Sequence, residues 1–207
     1  VTAAGPSAGY NSYAHSFAGM LCMFLLFWAL DAGKESFAER KSGALMRVRM
    51  SPATRGQALV ARALSVVLIA LLMSAAVYAL GFLVFGIEIL GSVPGFLLVI
   101  ISQAFFIGGM TLLLIGVAKS ERQMINIGSF AVLIMSFLGG AWMPSFILPE
   151  WVQGLAQALP THWSTEGLAA MTWRGLSFES ALLPSGVLVL QGVLCATIGW
   201  LTYRWES

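Results

Sequence analysis

The sequence predicts an all-α, polytopic membrane protein. It has five transmembrane helices, an amphipathic helix between the first two, and short re-entrant helices before the last. Three observations predict this. Charged residues make up 10% of the 207 and hydrophobic ones 58%, with a mean hydropathy of +0.86, whereas soluble domains carry roughly a quarter charged residues. Apolar surface on this scale has to meet lipid, because left in water it drives aggregation. Five apolar runs each approach the roughly 20 residues that a spanning helix needs, and their apolar residues do not alternate as barrel strands would. Finally, seven of the eleven Lys and Arg residues fall between Lys34 and Arg62, so positive charge is concentrated in one segment between spans.

Taken in order, residues 1–15 form a polar, glycine-rich lead-in without the basic start of a signal peptide. The first span covers about 16–32, ended by Asp31 and Gly33. The second covers about 63–87, with Glu88 at its outer end. The third covers about 93–118, with Pro94 in the first turn, where a missing N–H costs nothing. The fourth covers about 124–142 and is closed by Pro144. The fifth covers about 181–203, with Pro184 near its start. Helices satisfy every backbone polar group internally, which the bilayer demands.

Orientation follows from the loops. The first loop carries Lys34, Arg40, Lys41, Arg47, Arg49, Arg55 and Arg62, and the next link carries no Lys or Arg. Lys119 and Arg122 join the third and fourth spans, Arg174 stands alone in 143–180, and Arg204 lies in the tail. Basic residues mark the cytoplasmic side, so Val1 is expected outside and the C-terminus inside. Such an N-terminus needs an upstream helix to deliver it, and the parent chain is expected to have six spans. The extracytoplasmic stretch 143–180 is broken by Pro144, Pro149 and Pro160 yet holds Phe146, Trp151, Trp163 and Trp173. Trp favours the membrane–water boundary, so two short helices at about 149–159 and 165–173 are expected to dip into the outer leaflet.

The cytoplasmic segment 34–57 has structure of its own. Ser36-Phe37-Ala38-Glu39 has the S-x-x-E form of a capping box. Phe37, Ala44, Leu45 and Val48 then share one helical face, with Arg40, Lys41 and Arg47 elsewhere, and Ser51-Pro52 stops the helix. The run Glu39-Arg40-Lys41-Ser42-Gly43-Ala44-Leu45-Met46-Arg47-Val48-Arg49-Met50-Ser51-Pro52 resembles the E-R-x-x-G-T-L-x-x-L-x-x-x-P segment of ABC-2 type transporter permeases, with Ala44 and Val48 where Thr and Leu are usual. Gly139-Gly140-Ala141-Trp142-Met143-Pro144, continuing through Pro149-Glu150-Trp151 to Pro160, is similar to the G-G-x-x-x-P…P-x-W…P run of the same family. The resemblance covers nearly all of 1–207 in order and spacing.

Several chemistries are absent. No G-x-x-x-x-G-K-[ST] cradles phosphates and no H-E-x-x-H binds zinc. Cys22 and Cys195 lie inside apolar runs and read as small hydrophobes. His162 stands two residues from Ser164 with no acid to orient it. No charge sits in the core of any expected span, where an ion or proton path would place one. Among the neutral polar residues, Gln103, Asn126 and Gln191 are the costliest to leave unpaired in lipid, so they either line a route or make buried contacts between helices.

The resemblance implies the membrane subunit of an ATP-binding-cassette exporter in a bacterial plasma membrane. It would work as a homodimer or pseudo-symmetric heterodimer, with ATP and Mg on a separate cytosolic ATPase subunit. It implies a coupling helix in which Glu39, Arg40, Gly43, Arg47 and Pro52 meet that ATPase, and a pathway wall formed by the first and fourth spans. The chain itself is expected to carry no catalytic residue, cofactor or metal, and its small net charge of +2 points to no nucleic-acid partner. A route lined by neutral residues suits an amphipathic, drug-like or lipid-like cargo. The competing expectation is an ion-coupled carrier or channel that needs no ATP.

Overall fold

The computed structural model describes residues 11–42, 50, 54–144, 147 and 149–203, without the side chains of Arg40, Lys41 and Arg55. Those residues form an all-helical bundle. Its helices are α1 (Ser12–Lys41), α2 (Arg55–Phe85), α3 (Val93–Val117), α4 (Glu121–Leu138), α5 (Glu150–Ala156), α6 (Pro160–Met171) and α7 (Glu179–Thr202). No strand occurs among the described residues. Polar side chains start four of the helices by accepting otherwise orphaned amide hydrogens. Asn11 serves α1, Thr54 serves α2, Ser92 serves α3 and Ser120 serves α4.

The long helices run alternately between two ends. One, the basic end, holds the close of α1, the start of α2, the link from α3 to α4 and the close of α7. The far end holds the 86–92 turn and the short helices α5 and α6. Four helices are long and apolar enough to cross a membrane: α1, α2, α3 and α7. At 18 residues, α4 is shorter, about 27 Å at 1.5 Å per residue, and opens on Glu121-Arg122-Gln123.

At the centre is α3, buried along most of its length, while α2 and α7 turn most of their residues outward. Leu21, Leu25 and Leu26 of α1 share one core with Val99 and Ile107 of α3, Val132 of α4, Leu168 and Met171 of α6, and Leu188 of α7. The closest packing joins α3 to α7. A Cβ placed on Gly109 would collide with the backbone of Gly192, and one on Gly116 would collide with the backbone of Gly199. Both pairs repeat after seven residues on both helices, so two hydrogen-only faces let the backbones touch. Small residues serve this purpose where lipid supplies no hydrophobic drive between helices.

Four expectations need correction. Ser36 does not cap a new helix: α1 continues unbroken to Lys41, and Ser36 is a buried residue within it. The capping box is at Thr54 instead, where Gln57 N donates to Thr54 Oγ1 (3.3 Å) and Thr54 N donates to Gln57 Oε1 (2.8 Å). The second helix accordingly starts at Arg55, eight residues before its apolar run. Nor do Asp31 and Gly33 end the first helix. Asp31 pairs with Lys34 one turn on at 3.5 Å, and Gly33 faces the side chain of Met124. A fourth helix expected to reach Trp142 stops at Leu138, where Gly139 caps it and Gly140 turns the chain at φ 82°. The third and last helices lie within two residues of the expected bounds, and two short helices do precede the last.

Candidate functional site

The capping box at Thr54 fixes the start of α2 and so the direction in which its first turns face α1. Arg62, just under two turns in, crosses to that helix. Its Nη1 donates to the Ala32 carbonyl at 3.0 Å and its Nη2 pairs with the Glu39 carboxylate. The Arg62 side chain is 20% exposed and that of Glu39 46%. A half-exposed ion pair contributes on the order of 1 kcal/mol or less. A hydrogen bond from a charged donor to a buried carbonyl adds about 1.5–3 kcal/mol. The consequence is mainly geometric: one guanidinium clasps the two helices that flank residues 42–54. Beside the clasp lies a cavity of about 580 Å³ between α1 and α2.

Of the residues expected to couple to a partner, Glu39 is in this clasp. Arg40 lies near the end of α1, its side chain outside the described set, and Gly43, Arg47 and Pro52 are outside the described residues altogether. Arg62 was not among the expected site residues. Glu39 and Arg62 stand 23 positions apart, and no periodicity joins them; the available signal was an acid closing one span and a base opening the next.

The three amides expected in a route or a contact sit in three separate environments. Gln103 is 1% exposed, with its side chain beside the buried Cys22 thiol. Gln191 Nε2 donates to the Ala158 carbonyl at 3.0 Å and ties α7 to the α5–α6 link. Asn126 is exposed at the basic end, in a wall shared with Phe37, Lys119 and Arg122. Ser164 and His162 form no dyad: Ser164 turns into the core, and His162 stacks edge-on against Trp163.

The far end is fastened by α6. Thr161 Oγ1 donates to the Met135 carbonyl at 2.6 Å, and Thr165 Oγ1 to the Gly139 carbonyl at 3.2 Å, so α6 holds the close of α4. Leu90 N and Gly91 N donate to the carbonyls of Thr172 and Met171 at 3.1 and 3.0 Å. Glu166 pairs with Arg174, whose guanidinium also lies over the Trp173 ring. Burial holds His162 below the usual imidazole pKa; nearby Glu166 opposes that shift and Arg174 adds to it.

Long apolar helices of alternating direction, lipid-sized apolar exposure and a clasped pair of helix ends define a multi-pass helical membrane protein. A family model for the ABC-2 type transporter matches residues 4–173. The chain belongs to that family. It is similar to the linearmycin resistance permease protein LnrN of Bacillus subtilis (strain 168), at 22% identity over 182 residues, which is 83% of this chain and 44% of that protein. The chain thus spans less than half the length of that relative.

Proposed function

We propose that this permease is the membrane half of an ATP-driven exporter that moves an amphipathic, drug-like or lipid-like substrate out of the cytoplasm. ATP and Mg are bound by a separate ATPase, and permeases of this family normally work with such a partner. The observation that carries the reading is the Arg62 clasp. In sequence, residues 42–54 join two helices that Arg62 ties together, so a push on that segment is passed to α1 and α2 together. Glu39, Arg40, Gly43, Arg47 and Pro52 form the surface pushed upon. In this reading the basic end is cytoplasmic, residues before α1 lie outside, and the chain closes in the cytoplasm. The short helix α4 is the fourth of five spans, since it runs from the basic end to the far end. The helices α5 and α6 sit in the outer leaflet. A second permease, identical or pseudo-symmetric, faces α1 and α4, where Met20, Phe24, Ile127, Phe130, Ile134 and Phe137 are exposed.

Inverted membrane vesicles test this directly, with uptake of a fluorescent amphiphile such as rhodamine 6G standing for export. Uptake is expected to continue when an uncoupler collapses the proton gradient and to stop when ATP is withdrawn. Uptake that stops with the gradient and ignores ATP identifies an ion-coupled carrier instead.

A further inference from the structure

Only residues 118–120 join α3 to α4, yet these two helices scarcely touch; both pack on α1 instead. A wedge of about 230 Å³ is left between them, floored by Leu26 and Leu30 of α1. Residues 110–118 form one wall and residues 123–132 of α4 the other. We propose that this groove holds one acyl chain of an anionic glycerophospholipid from the leaflet bordering the basic end, with the phosphate at Lys119 and Arg122. The proposal goes beyond the export reading, and it needs neither ATP coupling nor a particular sidedness of the membrane.

Length and chemistry select a hydrocarbon chain. At 1.5 Å per residue, 110–118 and 123–132 each cover about 12–14 Å of helix. Half the hydrocarbon thickness of a bilayer is about 15 Å. A chain entering from the basic end therefore comes close to the membrane midplane where the groove ends. Apart from Gln123 at the mouth, the lining side chains are all aliphatic or thioether, so a polar occupant would leave its hydrogen bonds unmade at a cost. The volume falls below the roughly 300–1,000 Å³ of pockets for drug-sized ligands, which suits a single chain. Most of the lining is buried or half-buried, unlike the outward residues of α2 and α7 that meet bulk lipid. Of the six exposed residues assigned above to a second permease, Ile127 alone also lines the groove.

Charge selects the headgroup. Lys119 and Arg122 are exposed at the mouth, with Glu121 between them. Gln123 Oε1 accepts from Lys119 N at 3.1 Å, which leaves the amide NH2 as a donor at the same place. Beyond Leu30 on α1, Asp31 and Lys34 pair with each other at 3.5 Å. Over residues 31–62, 119–122 and 204–207, Lys and Arg outnumber Asp and Glu ten to five, against one to four in the rest of the chain. The preference for an anion thus rests on the whole basic end and not on one side chain, and basic residues at a membrane surface attract anionic lipid.

The probe is a phosphatidylglycerol with a diazirine midway along one acyl chain. It is applied to the complete permease in phosphatidylcholine nanodiscs, and the labelled residues are mapped by mass spectrometry. Saturable labelling is expected to concentrate on 110–118 and 123–132. Unlabelled phosphatidylglycerol is expected to compete about tenfold better than phosphatidylcholine. Lys119→Gln with Arg122→Gln is expected to bring the two lipids near parity, as loss of two surface bases should. Ala131→Phe changes no charge but narrows the groove, and it is expected to reduce groove labelling about fivefold. It carries the test if the double variant fails to reach the membrane. Equal competition by the two lipids in the wild type overturns the site, as does labelling of the outward faces of α2 and α7 as strong as that of the groove. An unlabelled groove with cross-links to a second permease overturns it too, and makes that copy the occupant.

Discussion

Replacing Arg62 with glutamate is expected to cut ATP-driven transport about tenfold while the permease remains in the membrane, the factor that 1.4 kcal/mol represents. The substitution removes both bonds of the clasp at once. It puts a second carboxylate against Glu39 and leaves the Ala32 carbonyl without its added donor. Because Glu39 is half exposed, water screens the repulsion, and the cost is set at about 1–2 kcal/mol rather than the larger penalty of a buried charge. The exchange Glu39→Arg with Arg62→Glu should restore transport only in part. The ion pair returns in reversed order, but a carboxylate at position 62 has no proton to donate to Ala32. Arg62→Lys should fall between, since one ammonium cannot hold the carboxylate and carbonyl in the same fixed fork. The readout that separates coupling from folding is transport per ATP hydrolysed, measured at equal amounts of permease in the membrane. Wild-type coupling in Arg62→Glu would remove the clasp from the power path.

The second large effect is expected where α3 meets α7. Gly109→Leu drives a side chain into the Gly192 backbone, and even Gly109→Ala places its Cβ there. Neither helix can yield locally, because the obstacle is main chain rather than a flexible side chain. Overpacking of this kind costs about 1–3 kcal/mol per site. Gly116, seven residues on, meets Gly199 in the same way. The two sites lie about 10 Å apart along the helix but press on the same helix pair, so a backbone shift made for one partly serves the other. The double variant Gly109→Ala with Gly116→Ala should therefore lose more thermal stability in detergent than either single one, but less than the sum of the two. Gly186→Ala, on the same α7 but with open space around it, supplies the control. It should be neutral or gain about 0.5–1 kcal/mol from a stiffer helix. Equal losses at 109 and 186 would show that glycine there serves helix flexibility and not contact.

What could be read from the residues alone depended on how local the physics is. Val93–Val117 was legible because Pro94 and an unbroken apolar run specify the same helix. The close of α1 was not legible, because Asp31 and Gly33 are terminators only when nothing else holds the helix. Here an i, i+3 pair and packing on Met124 outweigh the cost of one glycine, about 1 kcal/mol. Apolar runs also mark where lipid lies, not where a helix stops, so α1 and α2 both project beyond theirs toward residues 42–54. The Glu39–Arg62 clasp needs two helices to be brought side by side, and no spacing rule encodes that. The glycines of α3 and α7 are visible as letters, but which helix each one meets is a tertiary fact. Gln103, Asn126 and Gln191 were singled out for the cost of burying an amide, and the structure gives each a different neighbourhood.

The central claim is that residues 42–54 face the cytoplasm, where a separate motor can reach them. Ser42 closes α1 and is exposed, so Ser42→Cys offers a direct probe with a membrane-impermeant maleimide. The native thiols compete little, since Cys22 is buried and Cys195 half-buried within α7. The introduced thiol is expected to be labelled in inverted vesicles and protected in intact cells. Labelling from the outside of intact cells would put the clasp beyond the reach of any ATP-driven partner and contradict the claim.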